Sequence, residues 1–283
     1  MKRILLTNDD GIDAPGLRPL LYALQPVGQV SVLAPDHNWS AAGHTKTMHK
    51  PLRVWPYSFN HHRSELQDPA EPIPEWQGGS ADKTERIGRS RIDGVEAYAT
   101  SGAPSDCVML ALLGILAEKP DLVVSGINQG ANLGHDLSYS GTVAAAMEAS
   151  IAGLPAVAVS LDSYERQDFE FAACVAARVV KQVVDKGLPD GVFLNVNVPY
   201  LPEEEIAGLT VTRLGRRVYR DLLIERRDPR GRPYYWIGGE PPGGHLDEGT
   251  DIWAVANGYV SITPVHLDMT AYDLISHLES WRF

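Results

Sequence analysis

Cysteine is scarce in this chain: Cys107 and Cys174 are the only two in 283 residues. Each lies in an apolar helical pattern, so both are expected to be buried thiols, not a disulfide or a metal pair. No segment approaches the ~20 consecutive apolar residues of a membrane span. The start, MKRILLTNDDG, lacks the longer apolar stretch and small-residue cleavage site of a secretory signal. A cytoplasmic setting with no membrane partner is therefore expected. A long basic block is also missing. Net charge is −11 and the pI is near 5.2, with Arg213 to Arg232 the richest basic stretch. That argues against a non-specific grip on nucleic-acid polymers. There is no GxxxxGK[ST] loop, the Gly126/Gly130/Gly134 spacing is not GxGxxG, and no internal repeat or low-complexity tract is evident.

What is present is ordinary globular composition, 44% hydrophobic and 22% charged. That is enough for one large α/β domain, or one domain with an appendage. Apolar strands are expected at Lys2–Thr7, Gln29–Leu33, Glu96–Thr100, Asp121–Ser125, Pro155–Ser160 and Phe193–Val198. Helical patterns separate them: Leu17, Leu20, Leu21 and Leu24; Pro104 to about Ala117; VAAAMEASIAG; and Arg166–Lys186. Such alternation argues for a Rossmann-like, doubly wound, mostly parallel sheet. A short strand is expected at 52–55, and residues 57–92 read as an insertion or surface loop. Within that loop His61-His62 lacks a second pair at ligand spacing and reads as solvated.

The core is expected to occupy residues 1–200. Residues 201–283 read as a C-terminal β-hairpin arm, returning strands (252–256 and 259–263) and a final helix at Ala271–Leu278. The arm spans about 209–237, with a turn near Asp228-Pro229-Arg230-Gly231. A lone two-stranded ribbon is marginal in water, so the arm is expected to pack on another subunit.

Chemistry concentrates just after the strands. Asp9 and Asp10 follow the first, a hydroxyl-rich loop with Ser40 follows the second, and Asn128 and Asn132 follow DLVVS. In an open α/β sheet ligands bind beyond the carboxyl ends of the strands, so these loops can meet at one edge. Adjacent carboxylates repel, and a divalent cation offsets the cost of burying them. Two carboxylates, a hydroxyl and an amide carbonyl are hard oxygen donors that suit Mg²⁺ or Mn²⁺ and not zinc. The bland alternatives are an Asx turn at Asn8-Asp9-Asp10-Gly11 and turn roles for both asparagines. Ser140-Gly141-Thr142 opens an Ala-rich helix, either as a phosphate cradle or simply with Ser140 as its cap. His44 can donate to a phosphate oxygen or a leaving group, or be a surface residue. Asn8 can orient the carboxylate pair from behind. A haloacid-dehalogenase-type Asp-x-Asp is absent, and no central strand ends in the Asp a receiver domain needs.

The segments ILLTNDDGIDAPGL, APDHNWSAAGHTKT, SGAPSDCV, PDLVVSGINQGANLGHDLSYSGTVAAAMEA and GYVSITPVHLDMT stand in this order over residues 3–160 and about 249–270. In these motifs the chain resembles the SurE family of metal-dependent nucleotidases. The resemblance implies one divalent metal on Asp9, Asp10, Ser40 and Asn128. It places Asn132, Ser140, Gly141, Thr142 and His44 around a phosphate. It implies a nucleoside-monophosphate substrate, in some members also 3′-nucleotides and short polyphosphate, and a homodimer or homotetramer with exchanged C-terminal hairpins. A sensor that binds a nucleotide–metal complex without turnover is the alternative. Three departures stand out. Ala41 replaces the family's usual Gly after the Ser ligand. Ala103 replaces its common Thr before Pro, leaving the helix cap to Ser101 or water. The 57–92 segment is longer than usual.

Overall fold

The computed structural model describes residues 1–59, 91–92, 95–165, 168–239 and 243–282. His61-His62 and most of the expected insertion lie outside them. The elements run β1 (Arg3–Thr7), α1 (Leu17–Leu24), β2 (Gln29–Pro35), β3 (Val54–Pro56), β4 (Arg91–Ile92), β5 (Val95–Thr100), α2 (Pro104–Leu110), β6 (Leu122–Gln129), α3 (Gly141–Ile151), β7 (Ala156–Asp162), α4 (Glu170–Lys186) and β8 (Val192–Pro199). They continue as β9 (Gly208–Val211), β10 (Arg217–Val218), β11 (Asp221–Arg227), β12 (Pro233–Gly239), β13 (Gly243–Gly244), α5 (Asp251–Ala256), β14 (Tyr259–His266) and α6 (Tyr272–Glu279).

The main sheet is ordered β3-β5-β2-β1-β6-β7-β8-β14-β9, with β4 also paired to β5. Pairing from β5 through β8 is parallel, and β14 runs antiparallel to β8. The chain lays β2 and β5 to one side of β1, then crosses back to set β6, β7 and β8 on the other. The order therefore reverses at the β1–β6 seam, where α/β sheets open a ligand crevice. Residues 201–283 supply β9 and β14 to this same sheet.

Strand β1 is buried on both faces, as parallel strands covered by helices are. Ile4 and Leu6 join the core beneath α1 and α4, while Leu5 joins the one beneath α2 and α3. Leu17, Leu20, Leu21 and Leu24 of α1 are all buried. Each such leucine contributes about 1.5–3 kcal/mol by area burial. At the amino end of the sheet, the Arg3 guanidinium and the Asp121 carboxylate pair at 2.8 and 2.9 Å. That pairing holds the Asp121 carboxyl well below the usual carboxylate range.

Several expectations need correction. Cys107 is buried, but Cys174 is exposed, because α4 turns Ala173 and Ala176 inward instead. The helix from Pro104 ends at Leu110 and passes into a wide turn over Ala111–Ile115, where Gly114 has φ +110°. Residues 252–256 lie in helix α5, capped by the Thr250 hydroxyl accepting from Trp253 N, and not in a strand. Tyr57 to Phe59 are no surface excursion: Tyr57 is buried and its N–H donates to Ala97 O at 2.9 Å. Among the described residues no helix is long and apolar enough to cross a membrane.

Candidate metal and phosphate site

At the end of β1 the chain turns sharply. Asn8, fully buried, donates through Nδ2 to Gly11 O at 2.8 Å and accepts from Gly11 N at 3.2 Å. This clamp fixes the turn and presents Asp9 and Asp10 to the crevice. Asp9 is 2% exposed. The Thr142 hydroxyl of α3 donates to Asp9 Oδ1. The N-terminus of α3 comes so close that a Cβ on Gly141 would stand 2.7 Å from Asp9 Cβ, so only glycine fits.

Asp10 faces the loop after β2. Asn38 Nδ2 donates to Asp10 Oδ1 at 3.0 Å, and the Ser40 hydroxyl reaches the same oxygen at 3.4 Å. Asp10 Oδ2 accepts from Gln129 N at 3.3 Å, at the end of β6. The loop is held over the carboxylates by Trp39 N donating to Asp9 O at 2.7 Å and Gly43 N to Tyr139 O at 3.0 Å. Strand β6 reaches the site through an irregularity between Ser125 and Asn128. Gly126 there has φ +140°, and a Cβ would meet Val159 O at 2.4 Å, so glycine is required. Asn128 Nδ2 donates to Gly130 O at 2.7 Å, a bond that does not use its amide oxygen.

Burial governs the electrostatics of both carboxylates. Burial pushes the Asp9 carboxyl up to about 6, opposed by the Thr142 hydrogen bond and assisted by the Asp10 charge. Burial also raises Asp10, against the donors Gln129, Ser40 and Asn38. Two adjacent carboxylates, a hydroxyl and an amide oxygen are hard oxygen donors, the chemistry that a divalent cation of the Mg²⁺ or Mn²⁺ type takes.

The survival protein SurE family model matches residues 4–221. The chain belongs to the SurE family. It is 48% identical over 279 residues to a protein of Herpetosiphon aurantiacus named 5′-nucleotidase SurE, covering 98% of this chain and 97% of that one. It is 46% identical over 282 residues to the 5′-nucleotidase SurE of Chloroflexus aggregans, covering 99% of both. The crystal structure of the SurE protein from Aquifex aeolicus superposes with a TM-score of 0.76 at 41% identity, covering 98% of each chain.

Within this SurE-family fold, Asp9, Asp10, Ser40, Gly141 and Thr142 gather around one point, with Asn128 beside the Gln129 amide that touches Asp10. Other expected residues are occupied differently. Ser140 Oγ accepts from Val143 N at 3.1 Å, capping α3. Asn132 sits in a buried network: its Nδ2 donates to Ser160 Oγ at 2.8 Å, and its carbonyl accepts from Asn195 and Asn197 at 2.9 and 3.0 Å. His44 pairs through Nε2 with Glu148 at 2.8 Å. Ala41 takes φ +61°, the one positive-φ non-glycine among the described residues. Ser101 does not cap α2, because its hydroxyl accepts from Arg53 N; Asp106 instead accepts from Ala103 N at 2.9 Å.

Sequence reasoning missed Asn38, the Asn195/Asn197 pair and Glu148. Each left a trace. Asn38 stands two residues before Ser40. Asn195 and Asn197 share one face of an otherwise apolar strand. Glu148 is the one charge in an Ala-rich helix.

Proposed function

We propose that the chain removes phosphate from nucleoside 5′-monophosphates at the β1–β6 crevice, with one Mg²⁺ or Mn²⁺ held by Asp9, Asp10, Ser40 and Asn128. That the chain is a 5′-nucleotidase follows from its full-length kinship with proteins of that name. The observation that supports the chemistry is the buried Asp9–Asp10 pair at the switch point of the sheet, with both carboxyls raised by burial.

A divalent cation bound there supplies Lewis-acid polarisation of a phosphoryl oxygen and a lowered pKa for the attacking water. The chain's own residues supply position and field. Asn8 fixes the turn that aims both carboxylates. Thr142 orients Asp9. Asn38 and Ser40 close over Asp10. The positive end of the α3 dipole favours a phosphoryl group beside Gly141. His44 and Asn132 are assigned to the phosphate and its leaving group by the family resemblance; here His44 pairs with Glu148 and Asn132 bonds Ser160, Asn195 and Asn197. The range extends to 3′-nucleotides and short polyphosphate.

The arm supports an oligomer. On the β11–β12 hairpin Leu223 is 72% exposed, Trp236 62% and Ile237 81%, an apolar surface that a partner subunit would cover. A homodimer or homotetramer with exchanged hairpins fits this surface.

The test is phosphate release across a panel of 5′- and 3′-nucleotides with Mg²⁺, Mn²⁺ or EDTA. Metal-dependent release from 5′-monophosphates is expected. Saturable AMP binding with no release would instead make the chain a nucleotide–metal sensor.

A further inference from the structure

Glu148 lies on α3, two turns beyond the residues that touch Asp9, and is 1% exposed. A buried carboxylate in an Ala-rich helix is costly unless it is paired. Both its oxygens are engaged, and by the same loop: His44 Nε2 lies 2.8 Å from Oε2 and Lys46 Nζ 2.5 Å from Oε1. That loop also carries Asn38 and Ser40 onto Asp10. From Asp36 to Lys50 it has no helix or strand of its own. One rigid helix therefore holds the carboxylate floor of the site at one end and its covering loop further along. An ion pair placed only for stability gains little over apolar packing, so two donors converging on one buried carboxylate point to orientation.

We propose that Glu148 is a positioning residue for phosphoryl transfer. It fixes the loop through Lys46 and holds the His44 proton on Nε2, so that Nδ1 is the ring nitrogen available to substrate. A histidine donating from Nε2 to a carboxylate keeps Nδ1 as its lone-pair nitrogen when neutral, and as its second N–H when protonated. The activity part of this proposal rests on the phosphatase reading above; the tautomer part rests on the contacts alone.

Two measurements test it on the full chain. Long-range ¹H–¹⁵N NMR of histidine-labelled protein reads the tautomer: His44 is expected as Nε2–H, with that preference lost in E148Q. An Nδ1–H tautomer in the wild-type protein overturns the proposal, whether or not E148Q folds. Steady-state kinetics on AMP with Mn²⁺ then compare E148Q, H44A and the double variant. Replacing an outer partner of this kind costs about 10–100-fold, here expected in kcat with Mn²⁺ affinity held within about threefold. Little further loss is expected when E148Q is added to H44A. Independent, multiplying losses, or an E148Q enzyme as fast as wild type, overturn it. If the wild-type protein itself releases no phosphate from AMP, the phosphatase reading fails, and the wild-type tautomer still decides the role of Glu148.

Discussion

The hydroxyl of Thr142 donates to Oδ1 of Asp9 across 133 residues of chain. This bond ties the start of α3 to the end of β1 and sets the rotamer of the most buried carboxylate in the site. T142V removes the donor while keeping the shape. It is expected to weaken Mn²⁺ binding and to slow AMP hydrolysis by about 10–100-fold. T142S is expected to stay near wild type. Isothermal titration and a phosphate assay on both variants check this, and an active, tight-binding T142V would contradict it.

The pH dependence of the metal-free protein follows from Asp9. Its carboxyl rises from 3.8 to about 6 on folding. Between about pH 4 and 6 the folded chain therefore holds a proton that the unfolded chain has released. This group's contribution to stability is complete below about pH 4 and is lost as pH rises to about 6. A cation reverses the penalty above that range. The Mn²⁺-induced rise in Tm is expected to be large at pH 8 and small at pH 5. Equal rises at the two values would show that Asp9 does not contribute to metal binding.

Ala41 occupies a left-handed conformation, φ +61°, directly after Ser40. An L-residue there costs roughly 1–2 kcal/mol, and glycine relieves most of it despite its greater freedom when unfolded. A41G is expected to stabilise the protein by up to about 1 kcal/mol, read by urea unfolding. A destabilised A41G would show that the methyl makes a compensating contact.

The hairpin surface predicts a concentration-dependent oligomer. I237E places a charge on a strand whose neighbour Trp236 is also exposed. Light scattering is expected to show a shift to smaller species, because burying an unpaired charge costs several kcal/mol. An unchanged mass for I237E would place the subunit contact elsewhere.

The carboxylate pair and the sheet were legible because local signals agree: an apolar run, an abrupt acidic stop and helix–strand alternation. The switch point was also implicit, once DLVVS paired beside the first strand. What stayed hidden depends on long-range contacts. Nothing near Thr142 in the sequence marks its hydroxyl as the donor to Asp9. Asn132 reads as a loop residue and proves to be the hub of a buried network with Ser160, Asn195 and Asn197. Cys174 shows the opposite failure. It sits among Ala173, Val175 and Ala176, and a composition-level reading buries it, yet the helix rotates it to solvent.

In the proposed mechanism Asp9 and Asp10 hold the metal on which turnover depends. The direct measurement is Mn²⁺-dependent phosphate release from AMP by D9N and D10N, isosteric changes that keep the turn, paired with calorimetric Mn²⁺ titration. Both variants are expected to lose metal binding and turnover together while remaining folded. Wild-type-like phosphate release by folded D9N and D10N proteins would contradict that role for the two carboxylates.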